Sequence, residues 1–556
     1  MSRSPLHRAL SRIAGIAAYC DRNDLPTAEG IERIEAEHER RPVARREFLA
    51  TAGLAVAAGA VSALSPSAVR ALGRRGSTGP DVGIVGAGLA GLVCAVELQE
   101  GGIGATVYDA ADRVGGRVRS LRGFFPGQVA ERGGEFIDTL HTTMLGYARS
   151  FGLELENVET LPGDVVYYFD GQRYGEAAVV EEFRAFVSTM RTDLRAISGE
   201  ITAGSHTAAD IALDRTSLAE YLDGRNATGT IAGPVVREAI RQAYIAEYGL
   251  EIEQQSCLNF LLFVHADRRS KFKPFGVYSD ERYHIVDGND RITSGLAGLL
   301  DRDVELGLRL VAVRRTSTGR IELTMRDGSR TITRTHDTVV LAVPFSVLRG
   351  VELDASLAIP TAQREAIRTL GYGMNAKMMV GFSSRPWRAI DGNGTAYADL
   401  PNVQTVWESN PVNATGSRAI LTDYSGGVRG LRLDPNRAQL ETSRFLADLD
   451  RVFPGAAAAA TRSAGAYRTH LEHWPSNPLT RGSYTCYTPG QFTTIAGIEG
   501  RSVGNLHFAG EHTSYKFVGY MEGALNSGVM VARRLAARDG LLKEDVNLRK
   551  AASIAF

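Results

Sequence analysis

A glycine-rich turn near residue 86 constrains the fold of this chain most strongly. The apolar run Val82–Val85 leads into Gly86-x-Gly88-x-x-Gly91, and an apolar helical pattern follows through Leu98. In such a turn the first glycine permits the sharp bend, the second lets the backbone approach a pyrophosphate, and the third lets helix and strand pack closely. The helix N-terminus adds free N–H groups and the positive end of its dipole. The pattern therefore predicts a strand–turn–helix unit that binds a dinucleotide.

An acidic residue supports this interpretation. Asp109 ends a second predicted strand, ATVYD, twenty-three residues after Gly86. A carboxylate there can accept hydrogen bonds from ribose hydroxyls, and it disfavours a 2′-phosphate. We therefore expect a dinucleotide other than NADP.

Length and composition exclude several classes of protein. The chain has 556 residues, which predicts two or more substructures. Lys+Arg and Asp+Glu both number 63, so the net charge is zero and a nucleic-acid binder is not expected. Hydrophobic residues make up 44% and charged residues 23%, which excludes a mostly disordered chain.

The four cysteines do not suggest a cross-linked or metal-binding protein. Cys20, Cys94, Cys257 and Cys486 form no CxxC pair, and no His-rich tract lies beside them. We therefore expect neither a disulfide framework nor a metal site.

Three sequence blocks resemble the flavin-containing amine oxidases, which include monoamine, polyamine and L-amino-acid oxidases. Residues 109–119 read DAADRVGGRVR, residues 131–138 read ERGGEFID, and residues 504–535 contain FAGEHTSYKFVGYMEGA. The blocks occur in the family's order, and motif order and context are what support such an assignment.

The resemblance implies bound FAD and assigns residues to it. The first turn and Asp109 would hold the adenosine and phosphate part, and arginine forks pair well with phosphate oxygens. The other residues that the resemblance implies at the cofactor are Arg113 and Arg117 at the diphosphate, Gly133, Gly134 and Glu135 near the flavin, Leu310 at the adenine, Glu511 at the ribityl or phosphate region, and Met521 N–H near flavin N1/O2. The helix that begins at Met521 would stabilise negative charge on reduced flavin.

The resemblance also implies the residues that carry the chemistry. Tyr484 and Tyr520 would form an aromatic cage that orients a substrate amine, since ring faces are electron-rich. Lys377 lies in an apolar strand, and the resemblance places it near flavin N5, where its charge would assist the reaction with dioxygen. Phe136 and Trp474 would complete the substrate pocket.

Two departures from the family refine these expectations. Monoamine oxidases of the mammalian type attach FAD to a Cys before the cage tyrosine, whereas this chain has Ser483, so we expect FAD to be non-covalent. L-Amino-acid oxidases of the snake type carry an Arg for the substrate carboxylate where this chain has Phe136, which weakens an amino-acid assignment. Arg237 or Arg241 in the helical region could supply that function instead.

The predicted fold class is α/β, with a discontinuous Rossmann-like FAD-binding domain and an α+β substrate-binding domain with a helical subdomain. Residues 79–155, 280–350 and 480–540 are assigned to the FAD-binding domain. Residues 156–279 and 351–479 are assigned to the substrate-binding domain, and 541–556 to a C-terminal tail.

The N-terminal region resembles a twin-arginine export signal. Arg45-Arg46 precede an uncharged Ala/Gly/Val-rich run that ends at Leu64, too short to span a membrane, and we assign residues 45–72 to this segment. We therefore expect an exported protein, periplasmic or secreted, with no stable membrane span. Residues 1–44 are longer than a usual charged leader, and their role stays open at this point.

Together these features predict an FAD-dependent oxidase that deaminates a primary amine by hydride transfer to flavin, with dioxygen reduced to hydrogen peroxide. Its partners would be a small-molecule amine or amino acid and dioxygen; a homodimer is left open. The alternatives are an L-amino-acid oxidase that yields a 2-oxo acid and ammonia, a dehydrogenase that reacts poorly with oxygen, and a non-catalytic FAD-binding protein.

Overall fold

The computed structural model describes residues 6–39, 79–158, 163–264, 280–410 and 416–538. The predicted twin-arginine segment 45–72 and the tail 541–556 lie outside these residues. Four hydrophobic clusters of more than two residues form the core. The helices, numbered along the chain, are α1 (Leu6–Asn23), α2 (Thr27–Glu39), α3 (Leu89–Glu100), α4 (Thr142–Ser150), α5 (Glu176–Ala196), α6 (Ala208–Asp214), α7 (Leu218–Leu222), α8 (Pro234–Tyr248), α9 (Leu258–Val264), α10 (Asp290–Gly298), α11 (Phe345–Leu348), α12 (Thr361–Thr369), α13 (Gly427–Arg432), α14 (Ala438–Val452), α15 (Ala456–Ala459), α16 (Gln491–Thr494) and α17 (Met521–Arg538).

The strands belong to several separate sheets. In chain order they are β1 (Val82–Val85), β2 (Ala105–Tyr108), β3 (Ser120–Phe125), β4 (Gln128–Glu131), β5 (Leu155–Asn157), β6 (Asp164–Phe169), β7 (Gln172–Tyr174), β8 (Tyr283–Ile285), β9 (Arg309–Arg315), β10 (Ile321–Asp327), β11 (Arg330–His336), β12 (Thr338–Leu341), β13 (Glu352–Leu353), β14 (Ala376–Phe382), β15 (Gly392–Leu400), β16 (Val403–Glu408), β17 (Ala419–Ser425), β18 (Arg462–Ser463), β19 (Ala466–Tyr467), β20 (Thr469–His473) and β21 (Leu506–Phe508).

A four-stranded parallel sheet is built from three distant parts of the chain. Its order is β2-β1-β12-β21, and every neighbouring pair is parallel. Strands β1, β12 and β21 are buried along their whole length, as expected for apolar strands covered on both faces. Helices α3 and α17 pack so closely that a Cβ added to Gly528 would lie only 2.2 Å from the Ala90 carbonyl oxygen. A second sheet, β11-β10-β9-β13, lies between β8 and β14 in the chain.

A seven-stranded sheet forms the centre of the other half of the molecule. Its order is β20-β14-β17-β16-β15-β6-β7, and all its strands come from residues 156–279 and 351–479. Strands β14, β16 and β17 are entirely buried. One face packs on α14 in a cluster around Trp387 and Phe445, and the other face carries Lys377 and Trp407.

A helical layer covers part of this half. Helices α6 and α7 begin with reciprocal capping boxes, Thr207 with Asp210 and Ser217 with Glu220. Helix α8 begins with Pro234 and ends at Tyr248, and the capping residue Gly249 has a φ of +74°, which suits a left-handed cap. These local signals fix the helix ends, and the apolar faces of the helices then bury against one another.

Residues 6–39 are part of this helical layer. Helix α1 packs on α5, α8 and α9, and its residues Ile13 and Ile16 are fully buried. Two polar contacts attach helices α1 and α2 to α5. Arg191 Nη1 lies 2.9 Å from Asp21 Oδ2, and Arg184 Nη1 donates to Thr27 Oγ1 at 3.0 Å. Residues 6–39 therefore form a helix pair that is integrated into the body. Among the described residues, no helix combines the length and apolarity needed to cross a membrane.

Candidate functional site

The glycine turn leaves an open space at the N-terminus of α3. A Cβ on Gly86 would lie 2.4 Å from the Ala342 carbonyl oxygen, and one on Gly91 would lie 1.8 Å from the Gly86 carbonyl oxygen. A Cβ on Gly88 would meet no atom within 4 Å. Gly88 is the N-cap residue and provides no side-chain cap, so the first amides of the helix face this space. An anion such as a pyrophosphate fits here.

Asp109 lies at the carboxyl end of β2, beside this space. One carboxylate oxygen accepts a hydrogen bond from Ala87 N at 2.6 Å and the other accepts from Ala111 N at 2.8 Å. Burial raises the pKa of the Asp109 carboxyl above its ordinary value. Each oxygen keeps further acceptor capacity, which ribose hydroxyls can use.

The chain returns to Asp109 just before β9. Leu308 N donates to the Asp109 carbonyl oxygen at 2.8 Å, and Glu305 N donates to Val107 O at 2.9 Å. Leu310 follows two residues later as a buried position of β9, paired with Met325 of β10. The predicted adenine-binding residue therefore lies on the strand that begins beside the predicted ribose-binding acid.

The two predicted diphosphate arginines have different environments. The Arg113 guanidinium donates to the carbonyl oxygens of Val114 and Gly116, at 2.9 Å and 2.7 Å, so it braces its own loop. Arg117 Nη1 instead donates to the Ser483 carbonyl oxygen at 2.7 Å and to Glu511 Oε1 at 2.9 Å. Arg117 thus ties its own loop to two segments that lie 366 and 394 residues later in the chain.

Glu511 is buried at this junction. Its second carboxylate oxygen accepts a hydrogen bond from Gly519 N at 2.9 Å. Burial alone would raise the pKa of the Glu511 carboxyl, but the Arg117 guanidinium beside it holds this pKa below its ordinary value. Met521, also buried, begins α17 two residues after Gly519, so the helix N-terminus lies beside the Arg117–Glu511 pair.

The turn formed by residues 131–135 surrounds the Lys377 ammonium. Lys377 Nζ donates to the carbonyl oxygens of Glu131 at 2.8 Å and Gly133 at 3.1 Å, and it forms an ion pair with Glu135 Oε2. The turn packs so tightly against the backbone at Arg117 that a Cβ added to Gly133 would lie only 1.8 Å from the Arg117 carbonyl oxygen.

Aromatic side chains form a wall beside this lysine. The Trp407 ring centroid lies 5.5 Å from Lys377 Nζ and 5.8 Å from the Phe136 ring. Trp407 also contacts Tyr424 at 5.4 Å, and the Tyr424 and Tyr484 hydroxyls lie 3.0 Å apart. We call these four residues, Phe136, Trp407, Tyr424 and Tyr484, the aromatic wall.

Trp474 and Tyr520 have separate surroundings. Trp474 clusters with Tyr484, and its indole nitrogen donates to the Arg132 carbonyl oxygen at 3.1 Å. The Tyr520 ring contacts His141 edge-on at 5.1 Å and Phe263 at 6.4 Å. Burial lowers the pKa of His141 to about 4, so the ring beside Tyr520 is neutral. The predicted cage tyrosines are thus both buried, each among aromatic neighbours.

The structure does not support Arg237 or Arg241 as a carboxylate clamp. Arg237 pairs with Asp223 at 2.9 Å, and Arg241 pairs with Glu253 at 3.4 Å. Both guanidiniums are partly exposed and are neutralised by acids of the helical layer. The positions of Arg237 and Arg241 in α8 could not reveal these ion pairs, because Asp223 and Glu253 lie outside that helix.

Two residues of the wall were not predicted. Trp407 and Tyr424 lie on the buried strands β16 and β17, and Tyr424 is the cross-strand partner of Lys377. Nothing in the sequence of β17 singles out Tyr424, and the register that places it beside Lys377 depends on long-range strand pairing. Glu135 was predicted only as a cofactor contact, and its ion pair with Lys377 depends on the same pairing.

The residues present fit an FAD. The chain provides an open cradle at Gly88 for a diphosphate, a carboxylate at Asp109 with spare acceptor capacity for a ribose, and a helix N-terminus at Met521 that can face an electron-rich ring. All four cysteines are free and buried, and the described residues contain no cluster of three or more metal-ligating side chains.

Known proteins resemble the chain over most of its length. The family described as "Flavin containing amine oxidoreductase" matches residues 89–536. An L-amino-acid oxidase of Siganus canaliculatus is 26% identical, with 85% of this chain and 88% of that protein covered. The flavin-containing amine oxidase B of Sus scrofa is 24% identical, with 84% and 88% covered.

Solved structures show the same fold. A cyclohexylamine oxidase from Brevibacterium oxydans superposes with a TM-score of 0.69 at 21% identity, covering 83% of this chain and 99% of that one. A putrescine oxidase bound to putrescine superposes with a TM-score of 0.68 and the same coverage. The predicted fold class, a mixed α/β protein of the FAD-dependent amine oxidase type, is confirmed.

Proposed function

The chain belongs to the flavin-containing amine oxidoreductase family, and on that premise we propose that it is an FAD-dependent oxidase that deaminates a primary amine. The observation that carries the amine assignment is the position of Phe136. Its ring is buried against Trp407 at 5.8 Å in the aromatic wall, where an amino-acid oxidase of the snake type would place a cation for the substrate carboxylate. An apolar wall favours a substrate with a neutral tail.

The reaction consumes the amine, water and dioxygen and yields an aldehyde, ammonia and hydrogen peroxide. Bound FAD would accept the hydride from the carbon next to the amine and pass the two electrons to dioxygen. The open cradle at Gly88, Asp109 and the Arg117–Glu511 pair would hold this cofactor. Ser483 has no thiol to form a thioether, and its hydroxyl donates to Asn375 Oδ1 at 2.5 Å, so the FAD would be non-covalent.

The chain's own residues would orient the substrate and place charge. Tyr484 and Tyr520 would offer the ring faces that attract and align the amine. Tyr484 is fixed by its hydroxyl, which contacts Tyr424 at 3.0 Å and donates to the Glu247 carbonyl oxygen at 2.5 Å. Lys377 supplies a buried positive charge, which would favour reduction of dioxygen.

An L-amino-acid oxidase is the second candidate. Relatives that bear this name, such as the one from Siganus canaliculatus, support it. Against it stands the pairing of Arg237 and Arg241 with acids of the helical layer, which leaves neither available in this structure to bind a carboxylate.

We also propose that the protein is exported through the twin-arginine pathway, on the strength of Arg45-Arg46 and the apolar run that follows. Residues 6–39 precede that segment and pack on the body. Cleavage after the signal would therefore leave them attached by non-covalent contacts alone. Intact-mass analysis of the exported protein, under native and denaturing conditions, would show whether cleavage has divided it into two non-covalently associated chains or has left one chain.

Flavin spectroscopy tests the proposed function. The purified protein should be yellow and should release FAD when precipitated with acid. A primary amine added without oxygen should bleach the flavin, and air should restore the colour and produce hydrogen peroxide. Bleaching without peroxide would indicate a dehydrogenase, and a colour unchanged across a panel of amines and amino acids would indicate a non-catalytic flavoprotein.

A further inference from the structure

We propose that Glu135 is a positioning residue that holds the Lys377 ammonium against the turn formed by residues 131–135 and makes the net charge of this pair zero. The consequence for flavin rests on the proposed function above. The pairing itself rests only on contacts within the chain.

Three contacts saturate the ammonium. Its three donors reach the carbonyl oxygens of Glu131 and Gly133 and the carboxylate of Glu135. The Lys377 side chain is 3% exposed and that of Glu135 is 2% exposed, so water cannot replace either partner. Glu135 is the only one of the three contacts that brings a negative charge.

The other end of the Glu135 carboxylate is also fixed. Its Oε1 accepts a hydrogen bond from the Trp407 indole nitrogen at 3.1 Å. The carboxylate is thus held from two strands, β14 through Lys377 and β16 through Trp407, and it cannot rotate without losing both contacts. This arrangement fixes the position of the ammonium beside the aromatic wall.

Among the described residues, the nearby carboxyls of Glu131 and Glu472 do not supply an alternative counter-ion. The Glu131 carboxyl is buried, and burial raises its pKa to about 8, so this group is mainly neutral at pH 7. Glu472 is paired with Arg132. Removing the Glu135 charge therefore leaves Lys377 as an unpaired buried cation, which is strongly destabilising.

The test is a double-mutant cycle with two readouts. In the purified protein with its cofactor bound, Glu135→Gln and Lys377→Met should each lower the melting temperature by several degrees. The melting temperature of the double variant should fall by less than the sum of the two single losses, because neither charge is then left without its partner. Additive losses would overturn the ion-pair part of the inference.

The second readout is the midpoint potential of the bound flavin. Glu135→Gln removes a negative charge and should raise the potential, whereas Lys377→Met removes a positive charge and should lower it. A purely structural role would not shift the potential in opposite directions. An unchanged potential in Glu135→Gln, or a shift in the same direction as Lys377→Met, would overturn the inference.

Glu408→Gln is the matched control. Glu408 is the next residue after Trp407 but lies on the opposite face of the same sheet, where it pairs with Arg385 at 2.7 Å. This variant also breaks a buried pair, so it should lower the melting temperature and leave the flavin potential unchanged. If the cycle shows coupling but no substrate reduces the flavin, the proposed function fails and the inference about the pair stands. If substrates reduce the flavin but the losses in the double-mutant cycle are additive, the proposed function stands and the inference about the pair fails.

Discussion

Arg117 Nη1 lies 2.9 Å from Glu511 Oε1, although 394 residues separate the two along the chain. Arg117 follows the first strand–turn–helix unit, and Glu511 follows the last strand of the parallel sheet. The guanidinium also donates to the carbonyl oxygen of Ser483, the residue directly before Tyr484 of the aromatic wall. Arg117 therefore connects the loop that follows the glycine-rich turn to both the start of α17 and the aromatic wall.

Breaking this pair should weaken FAD binding. Glu511→Gln keeps the size of the side chain but removes the charge that pairs with Arg117. A hydrogen bond to a charged group is worth about 1.5–3 kcal/mol, so we expect roughly a tenfold to hundredfold increase in the dissociation constant for FAD. Titration of the FAD-free protein, followed by flavin fluorescence, measures this. Glu365→Gln, in an exposed pair with Arg368, is the control and should bind FAD normally. Equal affinities for all three proteins would contradict the role of the pair.

Glu131 should make stability depend on pH. Burial raises the pKa of its carboxyl from the ordinary 4.5 to about 8, so the folded protein keeps this proton where the unfolded chain has lost it. The folded state is therefore penalised progressively as pH rises from about 4.5 to about 8. Glu131→Gln can retain the acceptor contacts to Asn289 N and Ser120 Oγ and lacks the titration.

We expect the free energy of unfolding of wild type, relative to Glu131→Gln, to fall between pH 5 and pH 8. Chemical denaturation at several pH values measures the difference. A difference that does not change across this range would show that Glu131 titrates normally.

The N-terminal helix pair should be needed for the stability of the body. Ile16 of α1 is fully buried, so Ile16→Asp places a carboxylate in an apolar contact, at a cost of several kcal/mol. We expect a lower melting temperature and faster proteolysis within residues 6–39. Glu32→Asp, at an exposed position of α2, should behave as wild type. A wild-type melting curve for Ile16→Asp would mean that the helix pair does not pack as described.

Lys377 should act mainly in the reaction with oxygen. A preorganised charge of this kind is worth ~3 kcal/mol, or about a hundredfold in rate, so Lys377→Met should slow flavin reoxidation far more than flavin reduction. Stopped-flow measurement of the two half-reactions separates them. Equal slowing of both would show that Lys377 does not act selectively on oxygen.

The sequence allows part of this site to be predicted and conceals the rest for physical reasons. Gly86, Gly88 and Gly91 could be recognised because their turn is local, with strand, bend and helix contiguous. The Glu135–Lys377 pair could not, because it depends on how β14 approaches a turn 242 residues earlier in the chain.

Two other features also depend on contacts between distant segments and could not be predicted from the sequence. Tyr424 lies beside Lys377 only through the register of β14 and β17. The sequence shows that α1 is amphipathic, but an amphipathic pattern does not identify the surface against which the helix packs. Long-range pairing, and not local propensity, decides these features.

The most direct test of the amine assignment compares matched substrates. Steady-state peroxide formation with phenethylamine against phenylalanine, and with putrescine against ornithine, isolates the effect of the carboxylate. An unpaired carboxylate against the Phe136 wall should cost about 2–4 kcal/mol, so kcat/KM should favour each amine by roughly thirtyfold to a thousandfold. If the amino acid is the better substrate in both pairs, the protein is an L-amino-acid oxidase and the amine assignment is wrong.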